Sequence, residues 1–251
     1  MKEGKMFRQH SMMVLTEPIS CKVVVVGDSK CGKSALINAF LGKGYGETYT
    51  PTMFESYSST LEVDKYRIDI TVWDTSGKPE YASVRPLAYA DISAAVICFD
   101  IGQPDSIANV TQKWHLEIKK YCPNCPIVLV GCKMDLRNDI GIIHFSEGKK
   151  VPVSHDKGSK VASQIRAAAY VECSSRTNNA SVQEVFEIAS LAAIGKLNLQ
   201  KSYIDLPSAV KKFPLQQSFR RKKRSTSASV LRPVRVKATV VERESRGCVV
   251  M

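Results

Sequence analysis

Residues 27–34 read Gly-Asp-Ser-Lys-Cys-Gly-Lys-Ser. Gly27, Gly32, Lys33 and Ser34 fill the pattern G-x-x-x-x-G-K-[ST], and the neighbours on each side narrow its meaning. Before it lies Val23 to Val26, an apolar run of the length and β-branching of a buried strand. After it come Ala35, Leu36, Ile37, Ala39, Phe40 and Leu41, an apolar-rich helical stretch. A strand, a glycine loop and a helix in that order form a phosphate cradle. Glycines let backbone N–H groups curl around phosphate oxygens, and the helix N-terminus adds positive dipole. Ser29, Lys30, Cys31, Gly32, Lys33 and Ser34 are therefore the first candidate ligand residues. Lys33 is placed to reach the β- and γ-phosphates and the Ser34 hydroxyl to bind Mg2+.

The rest of the chain alternates in the same way. Strands are expected near 21–26, 56–63, 66–73, 93–99, 126–131 and 169–173, and helices near 33–41, 83–90, 106–121, 158–168 and 181–196. Asp64-Lys65 suits a tight hairpin, which makes its two strands antiparallel. The remaining strands are separated by helical patterns, which implies right-handed crossovers. The expected fold is α/β, a six-stranded, mostly parallel sheet with helices on both faces. Continuous apolar strands such as Ala94 to Phe99 agree with such cover, and a nucleotide then sits at the carboxyl edge of the strands.

Charge divides the chain. It has 251 residues, 36 basic and 24 acidic, yet 13 of the basic and only 3 of the acidic ones lie from Lys201 onward. The expected organisation is an N-terminal extension over 1–20, a folded domain over 21–200, and a basic, disordered tail over 201–251. No apolar run approaches the ~20 residues that span a bilayer. Residues 1–20 hold no secretory apolar region, and the chain does not begin Met-Gly, so neither export nor myristoylation is expected. Eight cysteines are then read as reduced thiols. Cys98 and Cys173 lie in apolar runs and read as core. Cys122-Pro-Asn-Cys125 is an isolated CxxC, read as a loop entering a strand, with zinc or redox chemistry as the alternative. His10, His115, His144 and His155 show no ligand spacing.

Four more motifs fall on loops at the carboxyl edge. Tyr49-Thr50-Pro51-Thr52-Met53-Phe54-Glu55 resembles the first switch of Rho-type small GTPases. Asp74-Thr75-Ser76-Gly77 resembles the second. Gly131-Cys132-Lys133-Met134-Asp135 resembles the guanine-reading NKxD loop, and Glu172-Cys173-Ser174-Ser175-Arg176 the SAK loop. Order and separation match that family over residues 21–200, and residues 137–157 resemble the Rho-type insert. The chain thus looks like a Rho-family small GTPase with the phosphate-loop fold, and is most similar to the atypical Rnd group.

The resemblance implies roles for GTP and Mg2+ as cofactors. Thr52 would bring a hydroxyl to Mg2+, Asp74 would hold it through water, and the Gly77 N–H would touch the γ-phosphate. Asp135 would accept from the guanine N1–H and amino group, a donor pair that adenine lacks. Lys133 and Tyr45 would cover the base, Ser175 would face its O6, and Tyr49, Ser174 and Arg176 would line the same pocket. Cys132 and Arg176 replace the family's usual Asn and Lys, so altered affinity with retained guanine choice is expected. Where a hydrolysing member has the water-orienting Gln, this chain has Lys78, which donates only. Ser29 replaces a Gly and Ser76 an Ala, and the Rnd group departs at the same three positions. No catalytic residue is assigned, and hydrolysis is expected to be lost or very weak. A slow but cycling switch enzyme is the alternative.

The resemblance also implies partners. Thr52, Met53, Phe54, Glu55, Tyr57, Tyr81 and Leu87 would form an effector face for plexin-type receptors and Rho-directed GTPase-activating proteins. The implied outcome is antagonism of Rho signalling and a change in actin organisation. The chain is expected to act as a monomer. The terminal Cys248-Val249-Val250-Met251 is a C-a-a-X box whose Met favours farnesylation of Cys248. One prenyl chain anchors weakly, and Arg220 to Arg224 would add attraction to an anionic leaflet. The cytoplasmic face of the plasma membrane or endomembranes, with a cytosolic pool, is the expected location. Nuclear localisation or nucleic-acid contact are competing readings of the basic run. They lack an accompanying base-stacking aromatic pattern, so no nucleic acid is expected. Ser225, Thr226 and Ser227 follow the run directly and are candidate phosphorylation sites.

Overall fold

The computed structural model describes residues 17–44, 52–138, 151–177 and 179–197. Six strands form one sheet: β1 Ile19–Gly27, β2 Phe54–Val63, β3 Tyr66–Thr75, β4 Ala94–Asp100, β5 Ile127–Cys132 and β6 Ala169–Glu172. Their order is β2-β3-β1-β4-β5-β6. Only β2 and β3 are antiparallel, joined by a turn in which Asp64 takes φ 54°. Every other pair is parallel. The expected class and the Asp64-Lys65 hairpin are both present.

The central strands are apolar on both faces because both faces are covered. Val23 and Val25 of β1 point into one core with Leu36, Ile37 and Phe40 of α1 (Lys33–Phe40). Phe186 of α5 (Asn179–Ala193) stacks on Phe40 there, with ring centroids 4.1 Å apart. Val24 and Val26 point into a second core with Ile107, Val110, Trp114 and Ile118. Those residues belong to α2 (Pro104–Asn109), a π-helical segment (Val110–Trp114) and α3 (His115–Tyr121), which run on from one another. α4 (His155–Gln164) completes that layer.

Several boundaries differ from expectation. The helix expected over 83–90 is instead two short 3-10 turns, Pro79–Tyr81 and Arg85–Tyr89, each with proline at its start. Proline lacks the N–H an α-helix would use there. The helix expected over 106–121 starts at Pro104, which suits a first helical position, and relaxes to π geometry in its middle. α4 begins three residues early because Ser154 caps it, its hydroxyl accepting from the Lys157 N–H at 3.3 Å. Residues 1–16, Tyr45, Tyr49, most of the 137–157 insert, the 201–251 tail, its basic run and Cys248 lie outside the described residues.

Candidate functional site

The loop after β1 owes its shape to its glycines. Gly27 takes φ 145°, and a Cβ there would collide with the Cys98 carbonyl of β4. Gly32, at φ 115°, precedes α1 and supplies no side-chain cap. The first N–H groups of the helix thus face the loop without a side-chain acceptor. Lys33 is buried and donates to the Gly27 and Asp28 carbonyls at 2.9 and 2.8 Å, curling over its own loop. Asp28 is held from beneath by Asn109 Nδ2 at 2.7 Å and Trp114 Nε1 at 2.8 Å. Burial pushes the Cys31 thiol up to about 12.

A group of hard oxygen donors gathers beside this loop. The Ser34 and Thr52 hydroxyls are 2.7 Å apart. Asp74, at the end of β3, is 1% exposed, and its Oδ1 has no hydrogen-bond partner among the described residues. Burial raises its carboxyl to about 6, against the Ser34 hydroxyl and the Lys33 charge, which favour ionisation. A buried carboxylate with one unpaired oxygen, beside two hydroxyls, suits an oxygen-seeking dication, whose charge would reverse that shift. The residues present therefore fit Mg2+. Gly77 packs on the loop itself, and a Cβ there would collide with the Gly27 carbonyl and the Ser29 N–H.

The segment after Gly77 is tied to α3. The Lys78 N–H reaches Ser76 Oγ at 3.4 Å. Arg85, 1% exposed, donates through Nη1 to the Ser76 carbonyl at 2.7 Å. Its other nitrogens form a two-pronged pair with Glu117, Nε–Oε1 2.6 Å and Nη2–Oε2 2.9 Å. Tyr89 donates to the same carboxylate, and Arg85 lies 4.7 Å from the Trp114 ring centroid. Burial alone would raise Glu117, but the bonds from Arg85 and Tyr89 outweigh it and hold the carboxyl below its ordinary value. Of the expected effector residues, Met53 and Leu87 are exposed, at 59% and 73%. Phe54 instead packs edge-on against Trp73, and the Tyr57 hydroxyl bonds Glu55. Tyr81 is partly buried in the first 3-10 turn.

The motifs of β5 and β6 meet on the other side of the loop. Lys133, at φ 61°, donates to the Lys30 carbonyl at 2.9 Å and to Asp100 Oδ2 at 2.6 Å. It therefore clamps the phosphate loop to the end of β4. Asp135 lies in the 3-10 turn Met134–Asn138, whose start is held by the bond from Met134 N to Cys173 O at 3.1 Å. Ser174 is buried, and its hydroxyl accepts from the Arg176 and Thr177 N–H groups at 3.3 and 3.2 Å, which shapes the turn carrying Ser175. Cys132 is buried against Gly32, where an added Cβ would lie 3.1 Å from its own. Glu172 pairs with Arg137 at 2.5 and 2.8 Å and accepts from the Tyr170 hydroxyl. Sequence reasoning missed Asp28, Asp100, Arg85, Tyr89 and Glu117. Asp100 closes an apolar strand at the carboxyl edge, a signal that could have found it.

A phosphate cradle, an oxygen site and two loops meeting beside them at one sheet edge define the class, a small nucleotide-binding GTPase-type domain. The family model for the Ras family matches residues 22–194, and the chain belongs to that family, as a Rho-type member most like the Rnd subgroup. It is 45% identical over 202 residues to the Rho-related GTP-binding protein RhoE of Homo sapiens, covering 79% of this chain and 83% of RhoE. RhoE of Mus musculus matches equally, and RhoE of Sus scrofa is 44% identical over the same length. Members of the Ras family bind GTP and GDP with Mg2+.

Proposed function

We propose that this chain is a Rho-type GTP-binding signalling protein that stays loaded with GTP and hydrolyses it little or not at all. The observation that carries this reading is Lys78. It directly follows Gly77, which packs on the phosphate loop, and by resemblance to hydrolysing members it would stand where they carry a water-orienting Gln. An ammonium donates only and cannot hold water through its proton. Loss of that group, with Ser29 where hydrolysing members have Gly, would remove contributions worth several kcal/mol of barrier, on the order of 10³-fold in rate.

The other residues favour holding. Lys33 would exchange its two carbonyl partners for phosphate oxygens. Ser34, Thr52 and Asp74 would hold Mg2+, which when bound neutralises phosphate charge and tethers the first switch. Asp135 would select guanine, with Lys133 and Tyr45 over the base, Tyr49 and Ser174 beside it, and Ser175 and Arg176 at its O6 edge. The Arg85–Glu117 pair supports a fixed second switch. Exposed Met53 and Leu87 would form the apolar centre of the effector face, with plexin-type receptors and Rho-directed GTPase-activating proteins as partners. Farnesylated Cys248 and the basic run would bring the monomer to the cytoplasmic face of membranes, where it would oppose Rho signalling and reshape actin.

Single-turnover hydrolysis tests this reading. The GTP-loaded chain is compared with a Ser29→Gly/Ser76→Ala/Lys78→Gln variant. We expect no hydrolysis by the parent above the buffer rate and a rise of at least ~10²-fold in the variant. Equal, measurable rates in both would instead make the chain a slow, cycling switch.

A further inference from the structure

The Cys122-Pro-Asn-Cys125 motif plays no part in the proposed function, and it lies at the opposite edge of the sheet, just before β5 begins. Pro123 and Asn124 occupy the middle of a reverse turn closed by the Cys125 N–H on the Cys122 carbonyl at 3.3 Å. Pro and Asn are the residues such a turn favours there, and the turn holds its end Cα atoms within about 7 Å. Disulfides join Cα atoms about 4.4–6.8 Å apart, so the turn brings the two cysteines into the range of one. Both cysteines line one shallow pocket of about 480 Å³, shared with Ile92, Ser93 and Pro126. Each thiol lies beside a backbone carbonyl, Cys122 Sγ 3.2 Å from Tyr89 O and Cys125 Sγ 3.4 Å from Pro126 O. Cys122 is half-buried and Cys125 buried. Cys21, Cys31, Cys98, Cys132 and Cys173 lie buried in the sheet's core.

We propose that Cys122 and Cys125 form a redox pair, a dithiol that closes to an intramolecular disulfide when a hydroperoxide oxidises it. Cys122 is the attacking group because it is the more exposed of the two. Burial raises its thiol, and the nearby Lys22 charge partly offsets this. As thiolate it attacks a peroxide oxygen; the S–O bond forms, the O–O bond breaks, and the leaving hydroxide takes a proton as water. The Cys125 sulfur then attacks the Cys122 sulfenic acid. The S–S bond forms, the S–O bond breaks, and a second water leaves with the Cys125 proton. Two thiols and hydrogen peroxide thus give one disulfide and two waters. Closure removes the S–H that Cys122 offers to the Tyr89 carbonyl. Tyr89 in turn bonds Glu117, which holds Arg85 and through it the Ser76 carbonyl. Oxidation at one edge of the sheet therefore loosens the anchor of the second switch at the other.

The test treats the folded full-length chain with hydrogen peroxide, then unfolds it, alkylates free thiols and maps peptides. Residues 121–133 form one tryptic peptide holding Cys122, Cys125 and Cys132, so fragment ions must separate them. The expected result is a loss of about 2 Da confined to 122–125, with Cys132 alkylated, reversed by dithiothreitol and absent in Cys125→Ser. Amide exchange over 85–89 rises on oxidation of the parent and not of Cys125→Ser. Sulfinic or sulfonic acid on Cys122 with Cys125 still alkylated overturns the pair. So does a disulfide through Cys132, or complete alkylation after a dose that oxidises glutathione. Closure with unchanged exchange over 85–89 overturns the link to the switch.

Discussion

Replacing Glu117 with glutamine strands the Arg85 guanidinium. Arg85 is 1% exposed, and of its partners among the described residues only Glu117 is charged. Breaking a buried pair by removing one partner costs about 3–5 kcal/mol. The Glu117 side chain is 16% exposed, so water reaches it and the lower figure, about 3 kcal/mol, applies. At roughly 2–4 °C per kcal/mol in a domain of this size, Tm should fall by about 6–12 °C. The assays are thermal unfolding for Tm and urea unfolding for the free energy, both at pH 7, with GTP and Mg2+ held at one saturating concentration because ligand binding adds stability of its own. Arg85→Met alone should also destabilise, whereas Arg85→Met/Glu117→Leu should recover at least about half the loss, since no charge is then stranded. A Glu117→Gln cost under about 1 kcal/mol, or single costs that simply add, would refute the argument.

Three further outcomes are expected. Asp135→Ala should weaken GTP by roughly 10²-fold, the worth of two hydrogen bonds to a charged acceptor, and leave ATP unchanged in fluorescent-nucleotide titrations. Gly77→Ala should push the second switch off the phosphate loop and lower the preference for GTP over GDP by about tenfold, as nucleotide competition would show. Glu117 and Glu172 are both held below their ordinary value of 4.5, where burial alone would raise them, by arginine and tyrosine partners. Their folded forms bind protons less readily than the unfolded chain. The stability they confer is therefore present above that value and lost as pH falls below it. Urea midpoints should drop across that acid range, and less steeply in Glu117→Gln.

The parts of the fold set by local pattern were legible in the sequence. Val23 to Val26, the glycine loop and the Asp64-Lys65 hairpin each declare themselves within a few residues. So did the gathering of the loop motifs at one edge, because parallel strands present all their carboxyl ends together. The illegible parts depend on partners far along the chain. Arg85 sits in a run of prolines and apolar residues that resembles an amphipathic helix. Its burial is explained by Glu117, 32 residues on, by the Trp114 ring and by the Ser76 carbonyl. Asp28 likewise looks like an exposed loop acid until Asn109 and Trp114 fold beneath it. Cys122 and Cys125 were visible as a pair, but their shared pocket and the link to Tyr89 were not.

The most direct test of the central reading is the nucleotide that the chain carries when isolated from cells with Mg2+ present throughout, released by denaturation and separated by chromatography. Mostly GTP is expected, unchanged after incubation with a Rho-directed GTPase-activating protein. Mostly GDP, or GTP that such a protein converts to GDP, would contradict it.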